Sequence, residues 1–177
     1  MDNSSKKNVL KDLSTIGISD VVGMGMAAAF WFFIAAQLEV AEYGELHFFI
    51  AIASFAFGIA LFGTQNVITV LTAKNIKIES TLFILSLVFG GIGTIIVFIF
   101  SERIDVGLLV IGFIINDLAI AYLIGKKNFS SYGRSIIIQK ILAVGLGLTF
   151  YYIFGVDGII PALVISYVHF SIFIYRG

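Results

Sequence analysis

Apolar stretches long enough, or nearly so, to cross a bilayer recur six times in this chain, and almost every basic residue falls on alternate joints between them. The blocks are Leu13–Leu38, Leu46–Thr72, Leu82–Phe100, Val106–Gly125, Ile136–Phe154 and Ile159–Tyr175. A helix needs ~20 residues to cross the hydrocarbon of a bilayer. Taking alternate joints as cytoplasmic puts Lys6, Lys7, Lys11, Lys74, Lys77, Lys126, Lys127, Arg134 and Arg176 on one side. Lys140 lies just inside the membrane on that side, and only Arg103 falls on the other. The positive-inside rule then sets the orientation: six crossings, both termini cytoplasmic, three short external loops. The expected fold is all-α, a multi-pass protein of the plasma membrane. Residues 1–12 form a cytoplasmic segment and 13–177 a six-helix transmembrane lobe.

The charge balance supports this division. The formal net charge is zero, but Glu39, Glu42, Glu45, Glu102, Asp105 and Asp157 all map to the external joints, opposite the basic ones. The basic residues are therefore topological, and the expected surroundings are a lipid bilayer with no nucleic acid. Cysteine is absent and the only histidines are His47 and His169, which excludes thiol chemistry and a His-rich metal site. No cofactor is expected.

Lys6, Lys7 and Lys11 resemble the basic start of a signal peptide, but the apolar run from Val21 to Leu38 exceeds the usual ~7–15 residues of such a segment. It reads as the first membrane helix. Ser80, Asp105, Ser135 and Asp157 precede blocks three to six as N-cap candidates, since a side-chain oxygen there can accept from unpaired backbone N–H groups. Pro161 falls in the first turn of the last block, where a missing N–H matters least. With no internal proline, no sharp kink is expected. Gly23 with Ala27, Gly25 with Ala29, and Ala143 with Gly147 are small-xxx-small pairs that let helices approach closely. Gly90-Gly91-Ile92-Gly93 reads either as packing or as a point where the third block bends.

Polar residues inside the blocks carry the functional information. Counting ~1.5 Å per residue from the nearest basic marker, Asp20, Asn66, Asp117, Lys140 and His169 lie ~9–13 Å deep on the cytoplasmic half. Every block but the third supplies one. Ionisable groups in lipid cost ~2.5–3.5 kcal/mol or more and normally face a bundle interior or a wet cavity. The expectation is a polar cavity open to the cytoplasm, with the third block peripheral. Asp117 carries the strongest signal, because neither Val106–Asn116 nor Leu118–Gly125 can span alone; Asn116 extends its polar patch. Asp117 could instead simply pair with Lys140 to hold two helices together. Lys140 could snorkel to the headgroups on its long stem. Asp20 could be an interfacial cap, and Asn66 and His169 could be structural hydrogen-bonding groups. Lys126, Lys127 and Arg134, with Phe129 and Tyr132, form a basic aromatic joint. It reads as topology and anchoring, or as a landing site for an anionic headgroup. No enzyme motif is present: no Gly-rich phosphate loop, no HExxH, no Ser/His/Asp set.

Two local stretches add a resemblance. Leu38-Glu39-Val40-Ala41-Glu42-Tyr43-Gly44-Glu45 closes the first block, and Ala60-Leu61-Phe62-Gly63-Thr64-Gln65-Asn66 sits late in the second. Together with the six-helix count, they resemble the N-terminal lobe of the Wzx-type polysaccharide-biosynthesis flippases of the multidrug/oligosaccharidyl-lipid/polysaccharide exporter superfamily. The resemblance implies translocation of a lipid-linked sugar by alternating access, with a cationic or polar lumen receiving the headgroup. It also implies a second six-helix lobe, from another copy or another chain, since the family transports between two lobes. A lobe of a cation-coupled multidrug exporter, with Asp117 or Asp20 as the coupling acid, and a non-transporting scaffold or relic are the alternatives.

Overall fold

The computed structural model describes residues 3–76 and 78–169, of which 3–11 are described by backbone alone. Lys77, Arg176 and the end of the sixth block lie outside the described residues, as do the side chains of Lys6, Lys7 and Lys11. Among the described residues all regular structure is helical, with no strand: α1 Asn3–Gln37, α2 Val40–Leu61, α3 Thr64–Ala73, α4 Glu79–Ser101, α5 Ile104–Gly125, α6 Phe129–Phe154 and α7 Ile159–Val168. A short 3₁₀ turn, Gly155–Gly158, joins α6 to α7. Five segments are long and apolar enough to cross a membrane: Asp12–Gln37, Val40–Leu61, Glu79–Ser101, Ile104–Gly125 and Phe129–Val168. The last of these turns a corner at the 3₁₀ segment, where α7 packs back on α6.

α5 is the central helix. Half of its apolar window is buried, against 22% for α1, α2 and α4, because it packs on α2, α3, α4 and α7 together. Val106, Leu109, Val110, Ile114 and Leu118 on α5 form the middle of the core with Ile34, Ile68, Ile159 and Ile160. α1 joins this core through Phe30 and Ile34 and is held chiefly by α6. The exterior is apolar: Phe32, Phe55, Ile84, Ile99 and Ile153 are exposed. A surface of that kind is stable against lipid and unstable against water.

The structure changes the second block most. It is two helices, α2 and α3, broken where Phe62 (φ 45°) and Gly63 (φ 78°) are both left-handed. Glycine adopts that conformation without Cβ strain. The carbonyls and amides released by the break are partly recovered locally. Thr64 Oγ1 donates to the Leu61 carbonyl at 2.5 Å, and the Asn66 N–H donates to the Gly63 carbonyl at 3.0 Å. α2 also starts earlier than expected, so Glu42 and Glu45 lie on its first turns instead of in a loop. The Glu39 N–H donates to Glu42 Oε2 at 3.2 Å and closes the start of α2.

The cap expectations hold poorly. α4 is preceded by Ile78, not capped by Ser80; α5 begins at Ile104, with Asp105 inside its first turn. α6 starts at Phe129, capped by Asn128, whose side chain accepts from the Ser131 N–H at 3.2 Å. That leaves Ser135 fully buried in the second turn. Asp157 lies in the 3₁₀ turn, and Pro161 does fall in the first turn of α7. α4 runs without interruption through Gly90-Gly91-Ile92-Gly93, so the break in the bundle is at Phe62-Gly63.

Candidate functional site

α1 and α6 meet along a seam of small and polar residues. Gly133 lets α6 close onto Ser19 and Thr15: a Cβ there would collide with Ser19 Oγ. Ser19 itself donates back to the Thr15 carbonyl at 2.7 Å, so its hydroxyl is occupied. One residue on, Asp20 accepts a 2.7 Å hydrogen bond from the Tyr132 hydroxyl. A turn further along α1, a Cβ on Gly23 would stand 3.1 Å from Ile136 Cγ2, 3.4 Å from Lys140 Cγ and 3.8 Å from Lys140 Cε. Gly23 is therefore the bed on which the Lys140 stem lies. The Lys140 ammonium has no acidic partner among the described residues.

Asp117 belongs to a different part of the bundle. It sits on α5 one turn beyond Phe113, whose ring contacts Phe57 of α2 (centroids 5.6 Å) and Tyr167 of α7 (5.0 Å). Asp117 is half-buried and forms no ion pair or hydrogen bond among the described residues, and the buried Oδ1 of neighbouring Asn116 has no partner either. The Asp117–Lys140 pair, one of the readings of these residues, is not formed. Asn66 is exposed in the first turn of α3, directly after the break. His169 caps α7, with Nδ1 3.2 Å from the Ser166 carbonyl. The structure thus brings Asp20 and Lys140 to one seam and leaves Asn116 with Asp117, Asn66 and His169 elsewhere.

Lys126 and Lys127 are exposed at the α5–α6 joint, with the Lys126 ammonium 5.5 Å from the Tyr122 ring centroid and Lys127 left-handed at φ 55°. Arg134 is exposed on α6. Gly125 brings Lys74 close to this joint, because α3 approaches until a Cβ on Gly125 would be 2.7 Å from Thr72 Cβ.

The opposite end is organised around Arg103. Its guanidinium pairs with Asp105 at 2.9 Å and Asp157 at 2.6 Å, and lies 5.1 Å from the centroid of the Phe49 ring. It ties together α5, the 3₁₀ turn and α2. The hydrogen bonds that Arg103 donates to Asp105 and, less strongly, to Asp157 together outweigh desolvation and raise its pKa above the ordinary guanidinium value. A cavity of about 230 Å³ opens there, lined by Glu42, Glu45, Phe49, Arg103 and Asp157.

Sequence reasoning missed three residues. Tyr132 was grouped with the basic joint, yet its hydroxyl reaches Asp20. Ser135 and Gln139 are almost completely buried, and Ser135 Oγ and Gln139 Nε2 have no partner among the described residues. Their i, i+4 spacing, which puts them on one face at the start of the apolar run of α6, was the available signal.

Comparison with protein-family models, curated proteins and solved structures finds no match to this chain.

Proposed function

We propose that this chain is one lobe of an alternating-access flippase that moves a lipid-linked oligosaccharide across the plasma membrane for cell-surface polysaccharide biosynthesis. In this reading there are six crossings, both termini face the cytoplasm, and a second six-helix lobe from a partner completes the path. The observation that carries it is Lys140, a half-buried cation inside an apolar helical bundle with no anion beside it among the described residues. An unpaired charge at such a position is unfavourable unless something transient satisfies it. The phosphate of a lipid-linked sugar has the right charge, and its lipid tail suits the apolar exterior. Lys126, Lys127 and Arg134 then receive the headgroup at the cytoplasmic face, where basic clusters attract anionic lipid. The two motif stretches around Glu42-Tyr43-Gly44 and Gly63-Thr64-Gln65-Asn66 support the same family.

One observation favours a second reading. Asp117 also lacks a partner among the described residues, whereas Asp20 is occupied by Tyr132. As the lobe of a cation-coupled exporter, the chain would use Asp117 as the coupling acid, and Asp117→Asn would abolish ion dependence.

The test begins with the mass of the native complex extracted in mild detergent, followed by reconstitution and a flipping assay with lipid-linked oligosaccharide. The expected result is a complex containing two six-helix lobes that flips the sugar lipid. A 19.3 kDa monomer that flips nothing would end the transport reading in favour of a scaffold.

A further inference from the structure

Several helical hydroxyls of this chain are satisfied locally. Ser19, Ser54, Thr69, Ser101 and Thr149 each donate to the carbonyl four residues earlier, at 2.7–3.0 Å. That carbonyl is the nearest acceptor a helical hydroxyl has. Ser135, fully buried on α6, does not use it: its Oγ has no partner among the described residues. Gln139 lies one turn on, is 2% exposed, and its Nε2 has none either. Residues at i and i+4 share a helix face, with Cβ atoms ~5–6 Å apart. Ser86 on α4 is also left unpartnered, but it has no polar neighbour a turn away.

The neighbours of this face show where it looks. Arg134, Ile138 and Ile141 are exposed and mark the outer side of α6. Gly133, Ile136 and Lys140 meet α1. At ~100° per residue, Ser135 and Gln139 fall roughly a third of a turn from each of those sides. Theirs is the side on which α6 packs against α7 and α5. Asn116 of α5 reaches the same level from across the joint. Gln139 lies ten residues beyond the start of α6 and Asn116 nine before the end of α5, ~15 Å and ~14 Å along the two helices. Gly112, one turn before Asn116, rests on Tyr167 and Val164 of α7, so Asn116 is on the side of α5 that faces the same interior. Its buried Oδ1 also has no partner among the described residues.

We propose that Ser135, Gln139 and Asn116 hold a water molecule inside the bundle, about 15 Å in from the Lys126 joint. The donor set selects it. The hydroxyl and the amide N–H each present a proton, and the Asn116 carbonyl oxygen presents a lone pair. A water accepts the first two bonds and donates the third, and two to four polar partners are what a buried water needs. An anion would suit the two donors but not the carbonyl oxygen. The site does not depend on reading Lys140 as a headgroup cation. It puts water at the depth of Asp117 and Lys140, the chain neighbours of the two amides, neither of which has an ion pair among the described residues. Charges at such a depth are tolerated where water reaches them.

The test is water-edited solid-state NMR on the full chain in its native complex, in phosphatidylcholine bilayers, with 15N in the glutamine side chains only. The chain has three glutamines, Gln37, Gln65 and Gln139, so Gln139→Leu identifies the signal by its loss. If that variant does not fold, Gln37→Leu and Gln65→Leu assign it by elimination. The buried Gln139 amide should receive magnetisation from water at a rate like that of half-buried Gln65. No transfer to Gln139 overturns the proposal. A double-mutant cycle reads the sharing. Gln139→Leu and Asn116→Leu should each lower the melting temperature, because each leaves the water and the remaining groups short of a bond, and the double variant should lose less than the sum. A dry, unpaired amide gains when leucine replaces it, so a rise in either variant, or strictly additive losses, overturns the shared water. A wild-type melting temperature that falls when gluconate replaces chloride, with no such fall in Gln139→Leu, assigns the donors to a halide and also overturns it.

Discussion

Arg103 and Lys140 are both cations set among apolar helices, and the protein treats them in opposite ways. Arg103 is matched twice, by Asp105 and Asp157, and its flat face lies against Phe49. Lys140 has no acidic partner among the described residues, and Asp20, on the same seam, is hydrogen-bonded by Tyr132 instead. A charge with all its partners in the chain serves the fold. A charge without a partner among the described residues is available to something else. The same division separates Asp157, paired, from Asp117, which has no ion pair among the described residues.

The largest effect expected from this contrast is at Lys140. Reversing its charge, Lys140→Glu, should reduce recognition of a lipid diphosphate by ~100-fold, two steps of the size a charged hydrogen bond supplies. The check is a binding titration, and a reduction of twofold or less would break the contrast. Next comes the corner that Arg103 braces. A Cβ at Gly158 would strike the Phe150 backbone carbonyl. Gly158→Val should therefore destabilise the bundle by about 3 kcal/mol, the upper range for overpacking, read as thermal loss of the monodisperse peak on size exclusion.

Arg103→Gln is expected to be milder. Asp157 is 75% exposed, so its half of the network is screened, and the loss should be about 1 kcal/mol, with lipid-diphosphate binding unchanged. The pH dependence follows from the sign. A base whose pKa is raised by folding contributes stability fully present below its unfolded value and lost only as pH rises through the folded one. For Arg103 that window lies above the ordinary guanidinium range, so thermal stability should show no Arg103-dependent change between neutral and mildly alkaline pH. A clear loss at mildly alkaline pH that disappears in Arg103→Gln would contradict the pairing. The smallest effect is Asp117→Asn, which removes an unpaired charge while keeping shape. Stability should stay within about 1 kcal/mol or rise, since no partner is orphaned. A drop of several kcal/mol in a denaturation series would mean that Asp117 has a structural partner after all.

The periodicity of hydropathy made most of the helices legible, because long apolar runs bounded by charge have few alternatives to a helix. The ends of α4, α5 and α6 nearest the Arg103 end fell close to where charge and glycine put them. The break at Phe62-Gly63 did not, because hydropathy averages over the backbone and an apolar phenylalanine gives no sign of a left-handed turn. The caps failed for a related reason: α6 begins at Phe129 because Asn128 caps it, seven residues ahead of the apolar run. Depth along the axis was readable, and it brought Asp20 and Lys140 to nearby levels. Which face each side chain occupies was not. The Asp20–Tyr132 contact joins residues 112 apart, and it was the packing of Gly133 on Ser19 and of Lys140 on Gly23 that determined it.

The contrast between the two cations is tested most directly by measuring flipping of lipid-linked oligosaccharide by the native complex in proteoliposomes, with Lys140→Gln and Arg103→Gln compared at equal amounts of folded protein. Lys140→Gln should lose flipping at a temperature where it is fully folded. Arg103→Gln should keep wild-type flipping and melt earlier. Equal flipping by the two variants, or loss in Arg103→Gln alone, would contradict it.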